Sequence, residues 1–419
     1  MTTAFLLLSI GGFLLVLNAW RPVRLGPFAI FSFFAGWLTQ ELAPFHLVLH
    51  VAATIAFVLA GAAEGTAGTV AVVLAVLTAA GLVKLILDAN HVGDVVDAAL
   101  REGLGDDYKD KISPEFVELE DANVPWRSVL LPFRWRHKDV TRVRNISYGQ
   151  YGHRNRLDVY KPKKGAKGAP VLFQIHGGGW VIGDKKQQAI PLMLHMAARG
   201  WVCVAANYRL SPRATFPDHL VDLKKALAWI RENVAEHGGD PDFVVVTGGS
   251  AGGHLTALVG LTQNDPQLQP GFEDVDTSVA AVVPYYGVYD FVNDFKIKVN
   301  EGRAKWFLTR TVMKASREEA PDRWRLASPQ ALVSPDDPPF FILHGSNDTL
   351  VPVDEARQFV AKLRGVSRSP VVYAELPGAQ HAFDIFPSLR TGHVIRGVER
   401  FLDYVYSGHL SAKVEVEQS

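Results

Sequence analysis

Four glycine-bordered stretches between residues 176 and 381 hold residues able to do nucleophilic chemistry together. Ser250 lies in Thr247-Gly248-Gly249-Ser250-Ala251-Gly252-Gly253-His254, after the β-branched run Val244-Val245-Val246 and before the helix-compatible His254–Val259. Gly-x-Ser-x-Gly therefore falls on a strand–turn–helix junction, where a sharp turn needs unencumbered neighbours and raises the serine at the strand's carboxyl end. A serine hydroxyl is a weak nucleophile until a base takes its proton and a carboxylate orients that base. Candidates for these roles follow apolar, strand-like runs: Asp348 in His344-Gly345-Ser346-Asn347-Asp348, and His381 in Gly378-Ala379-Gln380-His381. The order Ser…Asp…His is the one expected when the nucleophile stands on an α/β sheet. The fourth stretch, His176-Gly177-Gly178-Gly179-Trp180, ends another such run. Its consecutive glycines let backbone N–H groups face a developing oxyanion, although a plain glycine turn would use the same residues. The chemistry this spells is attack of a serine on an acyl group, with no metal and no organic cofactor needed.

The elements that must position these groups are legible as alternating strand and helix patterns. Arg142–Tyr148 and Arg156–Tyr160 alternate like an antiparallel hairpin. Val171–His176, Val202–Ala206, Phe243–Thr247, Val279–Pro284, Phe340–His344 and Val371–Leu376 are apolar runs of buried-strand type, with helical patterns such as Gln187–Arg199 and Leu220–His237 between them. Eight strands in this order predict a doubly wound α/β domain, whose ligands bind beyond the carboxyl ends of its strands. The stretch Val288–Leu332, with Trp306, Phe307 and Trp324, is expected to cap the site, or simply to decorate a crossover.

From about Ile146 to Tyr404 the chain resembles the hormone-sensitive-lipase-type (family IV) carboxylesterases and lipases of the α/β-hydrolase superfamily. The resemblance rests on Leu157-Asp158-Val159-Tyr160, His176-Gly177-Gly178-Gly179-Trp180, Asn207-Tyr208-Arg209-Leu210 with Pro212, and Gly238-Gly239-Asp240-Pro241. It rests also on Gly248-Gly249-Ser250-Ala251-Gly252-Gly253, Asn347-Asp348 and His381. It implies an α/β-hydrolase fold in which Ser250, Asp348 and His381 form a triad. Gly178, Gly179 and Ala251 would supply the oxyanion N–H groups, with His176 and Gly177 supporting their loop. Around Asp348 the family more often has Asp-Pro-Leu followed shortly by a second Asp, which leaves Asp354 as a rival. The first ninety residues are a larger departure from soluble members.

Those ninety residues carry six charged side chains, Arg21, Arg24, Glu41, Glu64, Lys84 and Asp88, too few for a soluble domain. Apolar runs cover Thr3–Trp20, Leu25–Thr39, Leu42–Ala63 and Thr66–Leu87. All but the second reach the roughly 18–20 residues a bilayer crossing needs. The second is a short tilted span or a re-entrant piece. No charged region or small-residue cleavage site marks the first run as a signal peptide. With Arg21 and Arg24 as an inside signal and four crossings, the α/β domain would lie extracytoplasmically; three crossings reverse this. His46 and His50 share a helix face and could ligate a metal or haem, but no third ligand lies near in sequence, which favours packed neutral histidines.

The expected divisions are a transmembrane region at 1–88 with three or four spans, an amphipathic connector at 89–140, the α/β-hydrolase domain at 141–408 and a polar tail at 409–419. In the connector, Val92–Leu104 reads as an amphipathic helix. Trp126–Lys138 interleaves aromatic and basic residues, as a segment on anionic headgroups or on the domain surface would. Lys+Arg and Asp+Glu balance at 43 each, so nothing suggests nucleic acid, and the lone Cys203 excludes an internal disulfide. The expected partners are an acyl-ester or lipid substrate and membrane lipids. The same machinery could serve an acyltransferase or an amide or formamide hydrolase, and a non-catalytic binding module would not need all three triad residues.

Overall fold

The computed structural model of the chain describes residues 1–24, 26, 28–117 and 135–418, so most of the aromatic–basic stretch expected at 126–138 lies outside the described residues. The eight expected strands form one sheet: β1 (Val140–Ser147), β2 (Arg156–Pro162), β3 (Ala169–Ile175), β4 (Val202–Ala206), β5 (Gly239–Gly249), β6 (Ala281–Tyr285), β7 (Phe340–Gly345) and β8 (Val371–Leu376). Their order is β1-β2-β4-β3-β5-β6-β7-β8. β1 pairs antiparallel with β2 and β2 antiparallel with β4, while all other neighbours are parallel. This is the α/β-hydrolase fold.

Parallel strands bury both faces, which explains the unbroken apolar runs. One face of β3 and β5 packs with Leu220, Leu223 and Leu227 of the helix Asp218–Asn233, and with Leu255 and Leu258 of the helix Ala251–Leu261. The other face packs with Met193 and Met196 of the helix Ile190–Ala198 and with Val398, Phe401 and Leu402 of the helix Leu389–Gln418. Leu389–Gln418 continues through the residues expected as a polar tail from 409 onward. Their sequence holds helix formers, and Lys413 Nζ donates to Asp240 at 3.0 Å.

The N-terminal third folds as α1 (Thr2–Trp20), α2 (Phe28–Glu41), α3 (Ala43–Leu59) and α4 (Gly65–Asn90), with α5 (Val92–Leu104) beyond. α1 and α4 meet through Val16, Ala19, Leu82 and Leu85 at one level and Phe5, Ala71 and Ala75 at another. Among the described residues two helices are long and apolar enough to cross a membrane, and three if the α2–α3 pair counts as one span. That pair is bent by 84°, so the short second run does not extend the axis of the third. Outward-facing Leu59 and Val76 are 83% and 61% exposed, surface that needs an apolar surrounding. His50 Nε2 lies 3.0 Å from the Ala75 carbonyl and so joins α3 to α4. Among the described residues no group of three or more His, Cys, Asp or Glu is arranged to hold a metal. α5 turns its apolar face, Val92, Val96, Ala99 and Leu100, into the core shared by β8 and the C-terminal helix. Its amphipathic pattern therefore serves the sheet.

Candidate active site

Register brings the His176–Trp180 stretch and the serine turn together. Ile175, the last residue of β3, pairs with Gly248 of β5, and Gly249 pairs with Tyr285 of β6. The loop after β3 therefore begins beside the serine turn. Ser250 has φ 60° and ψ −123°, a conformation uncommon for a residue with a side chain, and its N–H donates to Tyr285 O at 3.0 Å. Gly252 is required next to it: a Cβ there would run into the carbonyl of Ile175. The helix Ala251–Leu261 starts immediately, so the N–H of Ala251 belongs to the first turn and has no intrahelical acceptor.

The His176–Trp180 loop curls back over the serine, and a Cβ on Gly177 would lie 3.1 Å from Ser250 Cβ. Gly178 and Gly179 have φ of 114° and 57°, which only glycine adopts without strain in succession. The N–H of Gly177 is engaged by Gln188 Oε1 at 2.6 Å. No hydrogen bond among the described residues engages the N–H groups of Gly178, Gly179 or Ala251. His176 is fully buried, its Nδ1 lies 2.8 Å from the Gly177 carbonyl, and its ring stacks on Tyr208 at 4.4 Å. Burial pushes its pKa down to about 4, so the imidazole is neutral, with the proton on Nδ1 for the carbonyl it faces. Phe307 of the stretch expected as a cap approaches Gly179, within 3.7 Å of where a Cβ would stand. Its neighbour Trp306 is 64% exposed.

Asp348 and His381 stand on the loops after β7 and β8 and meet directly, Nδ1 to Oδ2 at 2.6 Å. Both are almost wholly buried. The second carboxylate oxygen, Oδ1, accepts from the N–H groups of Leu350 and Val351 at 2.8 Å each, and His344 Nε2 is 3.3 Å from Oδ2. Burial alone would raise the Asp348 pKa, but the charge of His381 and hydrogen bonds from His344 and His381 outweigh it, holding the carboxyl well below its usual range. Asp354, the rival, pairs instead with Arg357 at 2.9 Å in a mostly exposed position. Ser250 Oγ makes no hydrogen bond to His381 among the described residues; apo sites of this kind are often loose at this contact.

Several residues around the site had no signal in the sequence. The ring of Tyr286 packs on His381 at 4.4 Å and its hydroxyl bonds to buried Asp384. Gln380 Oε1 accepts from the N–H groups of Thr349 and His381 at 2.8 and 2.9 Å, which ties the two loops together. Phe33 of α2 sets its edge against His381 at 5.9 Å. A glutamine before a histidine, or a phenylalanine in an apolar helix, carries no pattern that would have marked it.

The family model described as BD-FAE matches residues 157–363. "Probable carboxylic ester hydrolase LipM" of Mycobacterium tuberculosis is 43% identical over 397 residues, covering 93% of this chain and 90% of that protein. The chain belongs to the hormone-sensitive-lipase-type carboxylesterases. "Esterase LipQ" of the same organism is 43% identical over 335 residues, 78% of this chain and 77% of its own length. The butyrate-bound esterase Est2 of Thermogutta terrifontis is 27% identical with a TM-score of 0.51, covering 62% of this chain and 92% of that one. The protein is accordingly an enzyme, a carboxylic ester hydrolase.

Proposed function

We propose that this esterase is a membrane-anchored serine carboxylesterase or lipase acting through Ser250, His381 and Asp348. Ser250 Oγ attacks the ester carbonyl while His381 Nε2 takes its proton. Asp348 holds Nδ1–H and stabilises the imidazolium, and the N–H groups of Gly178, Gly179 and Ala251 receive the oxyanion. The proton then passes to the leaving alcohol, and water attacks the acyl-serine by the same steps in reverse order. The observation that carries this reading is the 2.6 Å contact between His381 and Asp348, made beside a serine held at positive φ. His176 and Gly177 support the oxyanion loop.

An apolar acyl ester suits the surface formed by Phe307 and Ile182, the latter 68% exposed. Substrates drawn from membrane lipids follow from the apolar N-terminal helices. Those helices also bear on sidedness. Arg24 bonds to Ser346 O at 2.9 Å, and Asn347 to Ala19 O at 3.2 Å, so the loop after α1 lies against the hydrolase fold. Asn90, at the end of α4, meets His393 there too. With α1, the α2–α3 pair and α4 taken as three crossings, the Arg21–Arg24 loop and the esterase share one side, which the positive-inside tendency makes cytoplasmic; four crossings would put the esterase on the opposite side.

Hydrolysis of p-nitrophenyl esters of graded length by the full chain in detergent, beside Ser250→Ala, tests the chemistry. Turnover abolished in the variant is expected. Equal turnover in both proteins would overturn the mechanism. A fluorescent protein fused after Ser419 tests the side and is expected to mature in the cytoplasm.

A further inference from the structure

The Asp348 and His381 loops are held by residues more than three hundred positions away in the chain. Gln40 Nε2, in α2, donates to Gly378 O and to Ala19 O, both at 2.7 Å, and Gln40 Oε1 accepts from Gln380 N at 3.1 Å. Gln380 in turn accepts from the N–H groups of His381 and of Thr349, the neighbour of Asp348. A continuous path of hydrogen bonds thus runs from one α2 side chain to both loops. One turn earlier on α2, Trp37 Nε1 donates to Ala382 O at 2.8 Å while its ring stacks on Phe386 at 5.0 Å. Thr349 Oγ1 donates to the Ala29 carbonyl at 3.2 Å. The backbone at Ala382 has φ 60°, outside any regular element.

Non-repetitive backbone has no ladder to fix it and takes its position from whatever satisfies its carbonyl and N–H groups. In these loops three such groups, Gly378 O, Gln380 N and Ala382 O, take a partner from α2. We infer that Gln40 and Trp37 are positioning residues for His381, so that α2 is a structural part of the catalytic centre as well as of the membrane region. This rests on the proposed triad. Loss of Gln40 leaves Gly378 O without its donor, loss of Trp37 leaves Ala382 O with only the longer 3.3 Å bond from Ile385 N, and either lets the imidazole drift. A displacement of about 1 Å in a catalytic group is enough for roughly a hundredfold loss of rate.

The test uses the full chain in detergent, with Gln40→Ala, Trp37→Phe (which keeps an aromatic ring but has no donor) and Leu38→Ala, whose side chain on the same helix is exposed. Expected are a fall in kcat of about ten- to a hundredfold for Gln40→Ala and Trp37→Phe, a KM within about twofold, and no change for Leu38→Ala. A fluorophosphonate that labels the active serine separates misplacement from unfolding. Misplacement slows labelling in proportion to kcat while the final count of labelled serines per chain stays that of the wild type. Unchanged kcat in both variants, a change confined to KM, or a drop in labelled sites matching the drop in activity would each overturn the positioning role. If wild-type turnover is not dependent on Ser250, the triad reading fails and this inference with it. Ser250-dependent turnover that ignores Gln40→Ala and Trp37→Phe removes the role of α2 alone.

Discussion

Asparagine at position 348 separates the charge of the carboxylate from its shape. In the native site Oδ1 accepts from the N–H groups of Leu350 and Val351, and Oδ2 faces His381 Nδ1 and His344 Nε2. Asparagine has one carbonyl oxygen, and the two converging backbone donors claim it. The amide NH2 must then point at His381, so Nδ1 becomes an acceptor and the ring proton moves to Nε2. That is the nitrogen which has to be free to take the proton of Ser250. Loss of the correct tautomer in a serine triad lowers kcat by about ten-thousandfold, or about 5 kcal/mol of barrier. The cost in folding is far smaller, about 1.5–3 kcal/mol for hydrogen bonds to a charged group, because the backbone donors stay satisfied. Turnover of p-nitrophenyl butyrate and a thermal melt followed by circular dichroism measure the two effects on one preparation. A folded Asp348→Asn protein with kcat within tenfold of wild type would refute the assignment of Asp348 as the orienting carboxylate.

Asp354→Asn should leave kcat within about twofold, since that side chain is exposed and paired only at the surface, where such pairs contribute about 0–1 kcal/mol; a loss resembling that of Asp348→Asn would exchange the two roles. Arg390→Met should destabilise the protein by about 3–5 kcal/mol, because it strands the buried Glu41 carboxylate at the junction of α2 with the C-terminal helix. Adding Glu41→Gln to it should recover much of the loss, and a double variant no more stable than the single would contradict a buried ion pair. Burial also pushes His176 and His219 down to about 4 and His254 to about 3. These values lie below the unfolded value of about 6.5, so the unfolded chain takes up protons first. Stability from this source is whole above about pH 6.5 and falls towards pH 4 by up to about 1.4 kcal/mol per pH unit for each histidine. Urea unfolding at pH 7 and pH 5 checks the slope, and equal stability at the two would mean that these rings are not buried in their neutral form.

How far the sequence could be read depended on the range of the contacts involved. The strand runs were legible because burial on both faces of a parallel sheet demands continuous β-branched and apolar residues, as in Val171–Ile175 and Val244–Val246. The serine turn was legible because crowding by Ile175 O excludes a side chain at Gly252, a local demand that writes itself as a motif. Gln40 and Glu41 stand in the sequence between the apolar runs Leu25–Thr39 and Leu42–Ala63. They are buried, and their partners lie at Gly378, Gln380, Ser388 and Arg390. A polar pair beside an apolar helix looks the same whether it meets solvent or another loop. The helix Val92–Leu104 showed its apolar face but not the face it would cover, and β8 supplied that answer.

By itself the sequence determined the eight-stranded α/β-hydrolase fold, the apolar character of the first third, and Ser250, Asp348 and His381 as the residues to watch. Each of these is imposed by neighbours a few positions away. Only the tertiary structure decided between Asp348 and Asp354 beside His381, bent α2 away from α3, and set α2 against the two loops that carry the acid and the base. The last of these is made by side chains meeting across more than three hundred residues, and no local periodicity records which surfaces will touch.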